Sequence, residues 1–247
     1  MMELHENERI DDLQRGGLRV IQRTDAFRFG TDAVLLSAFA LPRKHDRLCD
    51  LGTGTGVIPL LLYGREPSIT ADAVEIQPDM ADMAARSMAL NGLEGVIRVH
   101  AGDLRQIRAL LPHGQYDLVT CNPPYGKAGG TLTNPSESKR LARHEETCLI
   151  TDVAQAAAWL LHDGGRLCCV FPAARLLELT DAMRACRLEP KRLRMVHSRL
   201  DKQAHLCLLE SMLGARPGMT VESPLVIYQD SGAYTDEMKA IYGQPCA

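Results

Sequence analysis

From Leu48 onward the sequence predicts an α/β fold: a doubly wound, seven-stranded, mostly parallel sheet with helices on both faces. Three observations predict it. Short apolar runs alternate with segments of helical periodicity. A glycine-rich turn, Gly52–Gly56, lies between the first run and the first helical segment. The last two runs, Arg192–His197 and His205–Glu210, are joined by a connection too short for a parallel crossover, which makes the last strand antiparallel. Residues 1–45 are read as an N-terminal extension of hairpin and helix packed on the main domain, residues 46–247.

In chain order, residues 17–28 alternate loosely (Leu18, Val20, Gln22, Thr24) and suit a hairpin. A helix opens after Phe29-Gly30, with Thr31 or Asp32 available as its cap. Val34, Leu35, Ala38 and Leu41 give it an apolar face, and Pro42 ends it. Strands are expected at Leu48–Leu51, Thr70–Ile76, Val96–His100, Tyr116–Cys121 and Arg166–Phe171. The helices between them are Val57–Tyr63, a segment from Pro78 to the Asn91-Gly92 stop, a short Leu104–Leu111, and one capped near Thr151 and closed by Gly164-Gly165. Ala174–Cys186 is a further helix, Val221–Tyr228 a further strand, and Tyr234–Tyr242 a terminal helical turn or two. Residues 126–146 read as a long loop, a length that inside a domain often carries function.

At 247 residues and 45% hydrophobic, the chain suits one sizeable domain with small additions. A net charge of −3 gives no global sign of nucleic acid, so any such binding must come from a local basic patch. No apolar run is long enough to span a membrane, and Met1–Asp12 lacks the apolar core of a signal peptide; a cytoplasmic protein without membrane contact is expected. None of the eight cysteines forms a Cys-x-x-Cys pair, so no metal is expected. Cys168 and Cys169 are adjacent in an apolar run and must face opposite sides of a strand, as small buried side chains and not a bridge.

Chemistry concentrates at Asn122-Pro123-Pro124-Tyr125, which stops the Tyr116–Cys121 strand. Two prolines cannot continue a ladder, and Pro123 holds Asn122 extended. Carbonyls at the strand's end are thereby left unpaired, the Asn122 side chain adds another acceptor, and Tyr125 adds a flat face. Converging acceptors beside a platform suit a planar group that carries an NH2.

The turn Asp50-Leu-Gly-Thr-Gly-Thr-Gly56 suits a nucleotide-like cofactor. A nicotinamide dinucleotide calls for Gly-x-Gly-x-x-Gly, and here the third position falls on Val57. S-adenosylmethionine fits better: Glu75 ends the second strand, where its carboxylate can take both ribose hydroxyls, and Asp103 follows the third, where it can take the adenine amine. Gly52, Glu75, Asp103 and Asn122 then fall at the carboxyl ends of four strands, the place where such sheets bind ligands.

In Asp50–Gly56, Ala73–Ile76, Gly102–Asp103 and Asp117–Tyr125 the chain resembles the Rossmann-like class I S-adenosylmethionine-dependent methyltransferases. In that superfamily Asn-Pro-Pro-Tyr marks methylation of an amino group: adenine N6, guanine N2 or glutamine amide. Phe27–Leu36, Ala142–Glu145 and Ser223–Tyr228 are similar to the bacterial N6-adenine methyltransferases of a valine tRNA, which act on the adenosine beside the anticodon. The likeness runs from about Leu18 on. It implies S-adenosylmethionine as cofactor, held by Thr31, Asp50, Gly52, Thr53, Gly54, Gly56, Glu75, Ile76, Asp103, Leu104 and Asn122. It implies Asn122, Pro123, Pro124 and Tyr125 as the catalytic set and tRNA as partner. Lys127, Lys139, Arg140 and Arg143, with Lys191, Arg192, Arg194, Arg199 and Lys202, are the basic residues available to the RNA. Phe29–Asp32 has two readings, a cofactor lid or a helix cap. The rival functions are a ribosomal guanine-N2 or protein glutamine-N5 methyltransferase, and a non-catalytic cofactor- or RNA-binding module. Only about 45 residues precede Leu48, too few for the separate helical module of the glutamine enzymes.

Overall fold

The structure, a computed structural model, describes residues 4–24, 30–123 and 148–244. Phe27–Phe29, Pro124, Tyr125, the 126–146 loop with its four basic residues, and Ala142–Glu145 lie outside them.

The elements follow the alternation of the sequence. β3 (Arg47–Leu51) leads through the glycine turn to α2 (Val57–Tyr63) and β4 (Thr70–Glu75). α3 (Pro78–Leu90) starts with Pro at its first turn, where a missing N–H costs nothing, and stops at Asn91-Gly92, Gly92 taking φ 67. Next come β5 (Ile97–Ala101), a 3-10 turn (Leu104–Gln106), α4 (Ile107–Leu110) and β6 (Tyr116–Cys121). After residue 148 follow α5 (Ile150–Leu160), β7 (Leu161–Pro172), α6 (Leu176–Ala185), β8 (Leu188–His197) and β9 (Ala204–Leu213). Two short strands, β10 (Thr220–Val221) and β11 (Leu225–Val226), and α7 (Asp236–Ile241) complete the domain.

The sheet has nine strands in the order β10-β8-β9-β7-β6-β3-β4-β5, with β11 also on β8. The β5, β4, β3, β6 and β7 strands run parallel. β9 is antiparallel to both β7 and β8, so β8 runs with the parallel set, as do β10 and β11. The expected seven-stranded sheet is therefore present, with two two-residue strands added at its edge. Pro224, which has no N–H to give the ladder, breaks the expected 221–228 strand into those two pieces.

Other expectations shift for identifiable reasons. The hairpin pairs β1 (Glu8–Asp12) with β2 (Arg19–Arg23), register Ile10 to Ile21, and does not lie within 17–28. α1 (Thr31–Ala40) begins after Gly30 with no side-chain cap from Thr31 or Asp32; it is apolar almost all round and is held by burial. α5 is capped not by Thr151 but by Asp152, whose carboxylate accepts from Leu149 N at 2.8 Å. Gly164-Gly165 lies inside β7, where the register with β6 shifts; a Cβ on Gly165 would stand 2.9 Å from the Tyr116 carbonyl, so the pair admits close strand approach and does not end a helix.

Each sheet face buries its own core. One face packs on α1, α2, α3 and the hairpin, through Val20, Leu35, Leu60 and Met88 among others. The opposite face packs on α4, α5 and α6 through Val119, Ala157, Leu160 and Leu179. Cys168 belongs to the first core and Cys169 to the second, the opposed facing that their adjacency required. All seven cysteines of the described residues are free thiols.

Candidate active site

Cross-strand register builds the site. Leu51 pairs with Cys121 on one side and Val74 on the other, and Glu75 pairs with Ala101. The residues that follow these pairs, Gly52, Ile76, Gly102 and Asn122, thus leave the sheet at one edge, a row of about 15 Å at the usual strand spacing. This is the carboxyl edge of the parallel strands, where an α/β sheet takes its ligand.

Backbone geometry shapes the glycine turn. Gly52, Gly54 and Gly56 all have positive φ (70, 59 and 84). At Gly56 a Cβ would also come within 2.4 Å of the Met88 methyl on α3. The amides of Gly52 and Thr53 both donate to Val74 O, at 2.9 and 3.0 Å. Gly54 N donates to Glu75 Oε2 at 2.9 Å, and Gln77 N donates to Glu75 Oε1 at 2.9 Å. Glu75 is thereby fixed by a strap on each oxygen; Oε1 also accepts from Gln77 Nε2 at 3.4 Å, and Oε2 keeps a second lone pair for a ligand hydroxyl. Ile76 beside it is 45% exposed, an apolar side chain held out at the strand end.

Asp50 lies under the turn, fully buried. Its Oδ1 accepts from Thr120 Oγ1 at 2.6 Å, while Oδ2 and the neighbouring Thr53 hydroxyl, both buried, make no hydrogen bond. Burial pushes its carboxyl up to about 7, the Glu75 charge adds to this, and the Thr120 hydrogen bond acts the other way. Asp103 caps the 3-10 turn by accepting from Arg105 N at 2.9 Å. The Arg105 guanidinium grips both its oxygens and holds its carboxyl below the usual range. Leu104 next to it is half-buried.

Asn122 is half-buried and Pro123 buried at the tip of β6; Pro124 and Tyr125 lie outside the described residues. Thr31 starts α1, whose other end meets Arg166 and Arg192 through Ala40 O and Phe39 O. α1 therefore runs against the strands and brings Thr31 to the same carboxyl edge, on the β9 side, where the Asp32 charge acts on His205. Thr120, Gln77 and Arg105 are the supports that sequence reasoning missed. A lone Thr inside the apolar β6 was the one available signal.

The residues fit S-adenosylmethionine. Asp50 Oδ2 is a buried acceptor without a donor, Glu75 offers a fixed acceptor in Oε2, and Ile76 and Leu104 offer apolar surface to a flat base. Among the described residues no cluster of His, Cys, Asp or Glu is placed to hold a metal, and no helix is long and apolar enough to cross a membrane.

A family model described as "Methyltransferase small domain" matches residues 24–186. A tRNA1(Val) (adenine(37)-N6)-methyltransferase from Tolumonas auensis is 33% identical over 225 residues, 87% of this chain and 88% of the relative. The chain belongs to this methyltransferase family. A second member, from Porphyromonas gingivalis, is 33% identical over 224 residues, 86% of each chain. In fold, the chain is similar to the crystal structure of protein Atu636 from Agrobacterium tumefaciens, described as a predicted O-methyltransferase: TM-score 0.71 at 23% identity, covering 86% of this chain and 95% of that one. The family places the glycine turn and the β6 tip in an S-adenosylmethionine-dependent enzyme.

The basic residues around the final hairpin divide. Arg192 packs over the Phe39 ring at 3.9 Å and pairs with Glu210 and Glu222. Arg194 pairs with Glu222 and Glu237. Lys191 donates to the Arg216 and Gly218 carbonyls, near the amino end of β8 and away from the site. These three hold the fold; of the other two, Lys202 pairs with Asp201 at 3.2 Å and Arg199 is exposed at the carboxyl edge.

Proposed function

We propose that this chain methylates N6 of adenosine 37 in a valine tRNA, acting in the cytoplasm. The observation that carries the chemistry is the Leu51–Cys121 pairing, which sets Asn122-Pro123 beside the glycine turn at the sheet's edge. The relatives named for that tRNA position supply the substrate.

The bound cofactor supplies a methyl group already activated on a sulfonium. What remains for the chain is to present a poor nucleophile, because the adenine amine's lone pair is delocalised into its ring. Asn122 Oδ1 and the Pro123 carbonyl accept the two N–H bonds, which draws the nitrogen toward a tetrahedral shape and frees its lone pair. Pro124 and Tyr125 hold the base, Tyr125 by stacking, worth about 1–3 kcal/mol. Fixed acceptors and alignment supply the rate, with no general base, and the proton passes to water. Asp50, Gly52, Thr53, Gly54 and Gly56 receive the cofactor's amino-acid end. Glu75 takes the ribose, and Asp103 the adenine amine between Ile76 and Leu104. Thr31 closes over them. The target adenine must leave the loop's stack to enter, which an unpaired anticodon-loop base does cheaply.

The test is incubation with total tRNA and labelled S-adenosylmethionine, followed by nucleoside analysis. N6-methyladenosine at position 37 of a valine tRNA is expected. N2-methylguanosine would select the guanine reading, and transfer to a protein glutamine the third.

A further inference from the structure

Ser223–Tyr228 is similar to the tRNA methyltransferases yet has no part in the site described. Leu225 and Val226 form β11, which pairs with Val196 and His197 of β8. The chain then continues past the sheet: Ile227 N donates to His197 O, and Tyr228 N to Ser198 O. Because β8 runs parallel to β6, Tyr228 emerges at the edge that carries Asn122. By the register Cys121–Cys169–Leu209–Leu193 it lies four strand spacings across the sheet, about 19 Å, and ~16 Å further along the strands than Asn122, roughly 25 Å in all.

There the chain doubles back. Tyr228 bridges Tyr234, and Gln229 N donates to Ala233 O at 2.8 Å. The Tyr228 ring stacks on Tyr234 at 5.4 Å with planes 13° apart, and Tyr234 stacks on Tyr242 at 5.4 Å and 17°. The inner two rings pack against the core. Thr235 locks the ladder, its hydroxyl donating to Val226 O at 2.7 Å and capping α7. Tyr228 is 38% exposed even though Tyr234 covers one of its faces. A row of near-parallel rings whose outermost member is partly exposed can be extended by one more flat ring.

One exposed cation, Arg199, adjoins it, along with the exposed Asp230. Arg199 follows Ser198, the acceptor for Tyr228 N, and is exposed. Its guanidinium has no partner among the described residues, unlike those of Arg192 and Arg194.

We infer that the outer face of Tyr228 stacks an unpaired nucleobase of the RNA substrate, with Arg199 on an adjoining phosphate, while the target base occupies the Asn122 site. One ring and one guanidinium match one nucleotide. This rests on the RNA-methylation reading and adds a second point of grip to it. Stacking is indifferent to base identity, so the contact sets affinity and orientation and leaves sequence choice to the active site.

The experiment is equilibrium binding of tRNA and, separately, of S-adenosylmethionine to the full chain. Tyr228→Ala is expected to weaken tRNA binding about tenfold or more and to leave cofactor affinity unchanged. Tyr228→Phe keeps the ring and is expected to bind as wild type does. Arg199→Ala should reduce the salt dependence of binding by about one phosphate contact. Equal tRNA affinity in Tyr228→Ala and wild type overturns the inference, and so does a parallel loss of tRNA and cofactor affinity, which marks a structural ring. Should Tyr228→Ala not fold, Tyr228→Trp decides: its emission, above that of the chain's one tryptophan, Trp159, must change when tRNA binds, and an unchanged signal overturns the inference. A wild-type protein that binds no tRNA would instead remove the RNA reading itself.

Discussion

Asp50 and Thr120 pair across β3 and β6, and the 2.6 Å bond between them satisfies one oxygen of a carboxyl whose other oxygen, equally buried, accepts nothing. Burial holds this carboxyl up near 7. In the unfolded chain an aspartate ionises near 3.9. Between those values the native state binds more protons than the unfolded state, so the stability of the cofactor-free protein falls as pH rises through the interval. About three units correspond to at most ~4 kcal/mol. Unfolding of wild type and Asp50→Asn should therefore be compared at pH 5 and pH 8. Only about two of those units fall between pH 5 and 8, so the variant is expected to gain about 2–3 kcal/mol relative to wild type over that interval. Parallel pH curves would show that Asp50 does not titrate there.

Glu8 and Arg86 fasten the hairpin to α3 with two bonds, 2.6 and 2.8 Å, and Glu8 is almost wholly buried. The guanidinium holds the Glu8 carboxyl down at about 2. A depressed carboxylate contributes its stability above the unfolded value near 4.3 and loses it as pH falls toward 2. Arg86→Ala strands a buried carboxylate and is expected to cost about 3 kcal/mol at neutral pH. The gap to wild type should close on acidification from pH 5 to 2. Denaturant melts at several pH values measure it, and a gap that stays constant would mean that packing, not charge, holds the hairpin.

Gly56 shows why the turn needs glycine. Its φ of 84 costs a residue with Cβ about 1–2 kcal/mol, and the Cβ would also displace the Met88 methyl 2.4 Å away. Gly56→Ala is expected to lose about 2–3 kcal/mol of stability and to weaken cofactor binding. Gly95, with no positive φ and open space around it, is the control: Gly95→Ala should stay within about 0.5 kcal/mol of wild type. Adding Met88→Ala to Gly56→Ala removes the collision but not the backbone strain, so it separates the two contributions.

Legibility followed local signals. α2 and β6 have the bounds expected of them because glycines bracket the one and prolines stop the other. The same punctuation put Gly52, Glu75, Asp103 and Asn122 at strand ends. β1, by contrast, reads Glu-Arg-Ile-Asp-Asp and carries no apolar alternation; it is a strand because it pairs with β2, and Arg86, far along the chain, ties its first residue Glu8 to α3. Gly164-Gly165 carried a stop signal whose real cause is a close approach to Tyr116, which linear sequence does not contain. Register is likewise not written locally, so Thr120 under Asp50 went unread, and Arg192 was taken for a surface cation when Phe39 and Glu210 enclose it.

Asn122 bears the most direct test of the chemistry. If its side-chain oxygen accepts an amine hydrogen in the transition state, Asn122→Ala removes that contact and leaves the glycine turn, Glu75 and Asp103 in place. Losing one preorganised partner of this kind costs about 100- to 1,000-fold in turnover. The expected result is that loss in single-turnover methyl transfer to tRNA, with cofactor affinity by calorimetry changed severalfold at most, because the bonds that fix Glu75 come from Gly54 and Gln77 and not from β6. Asn122→Asp keeps an acceptor and adds charge, so it should retain more activity than the alanine variant where the amine's hydrogens are what the residue holds. Near-wild-type turnover in Asn122→Ala would take the acceptor role away from this residue.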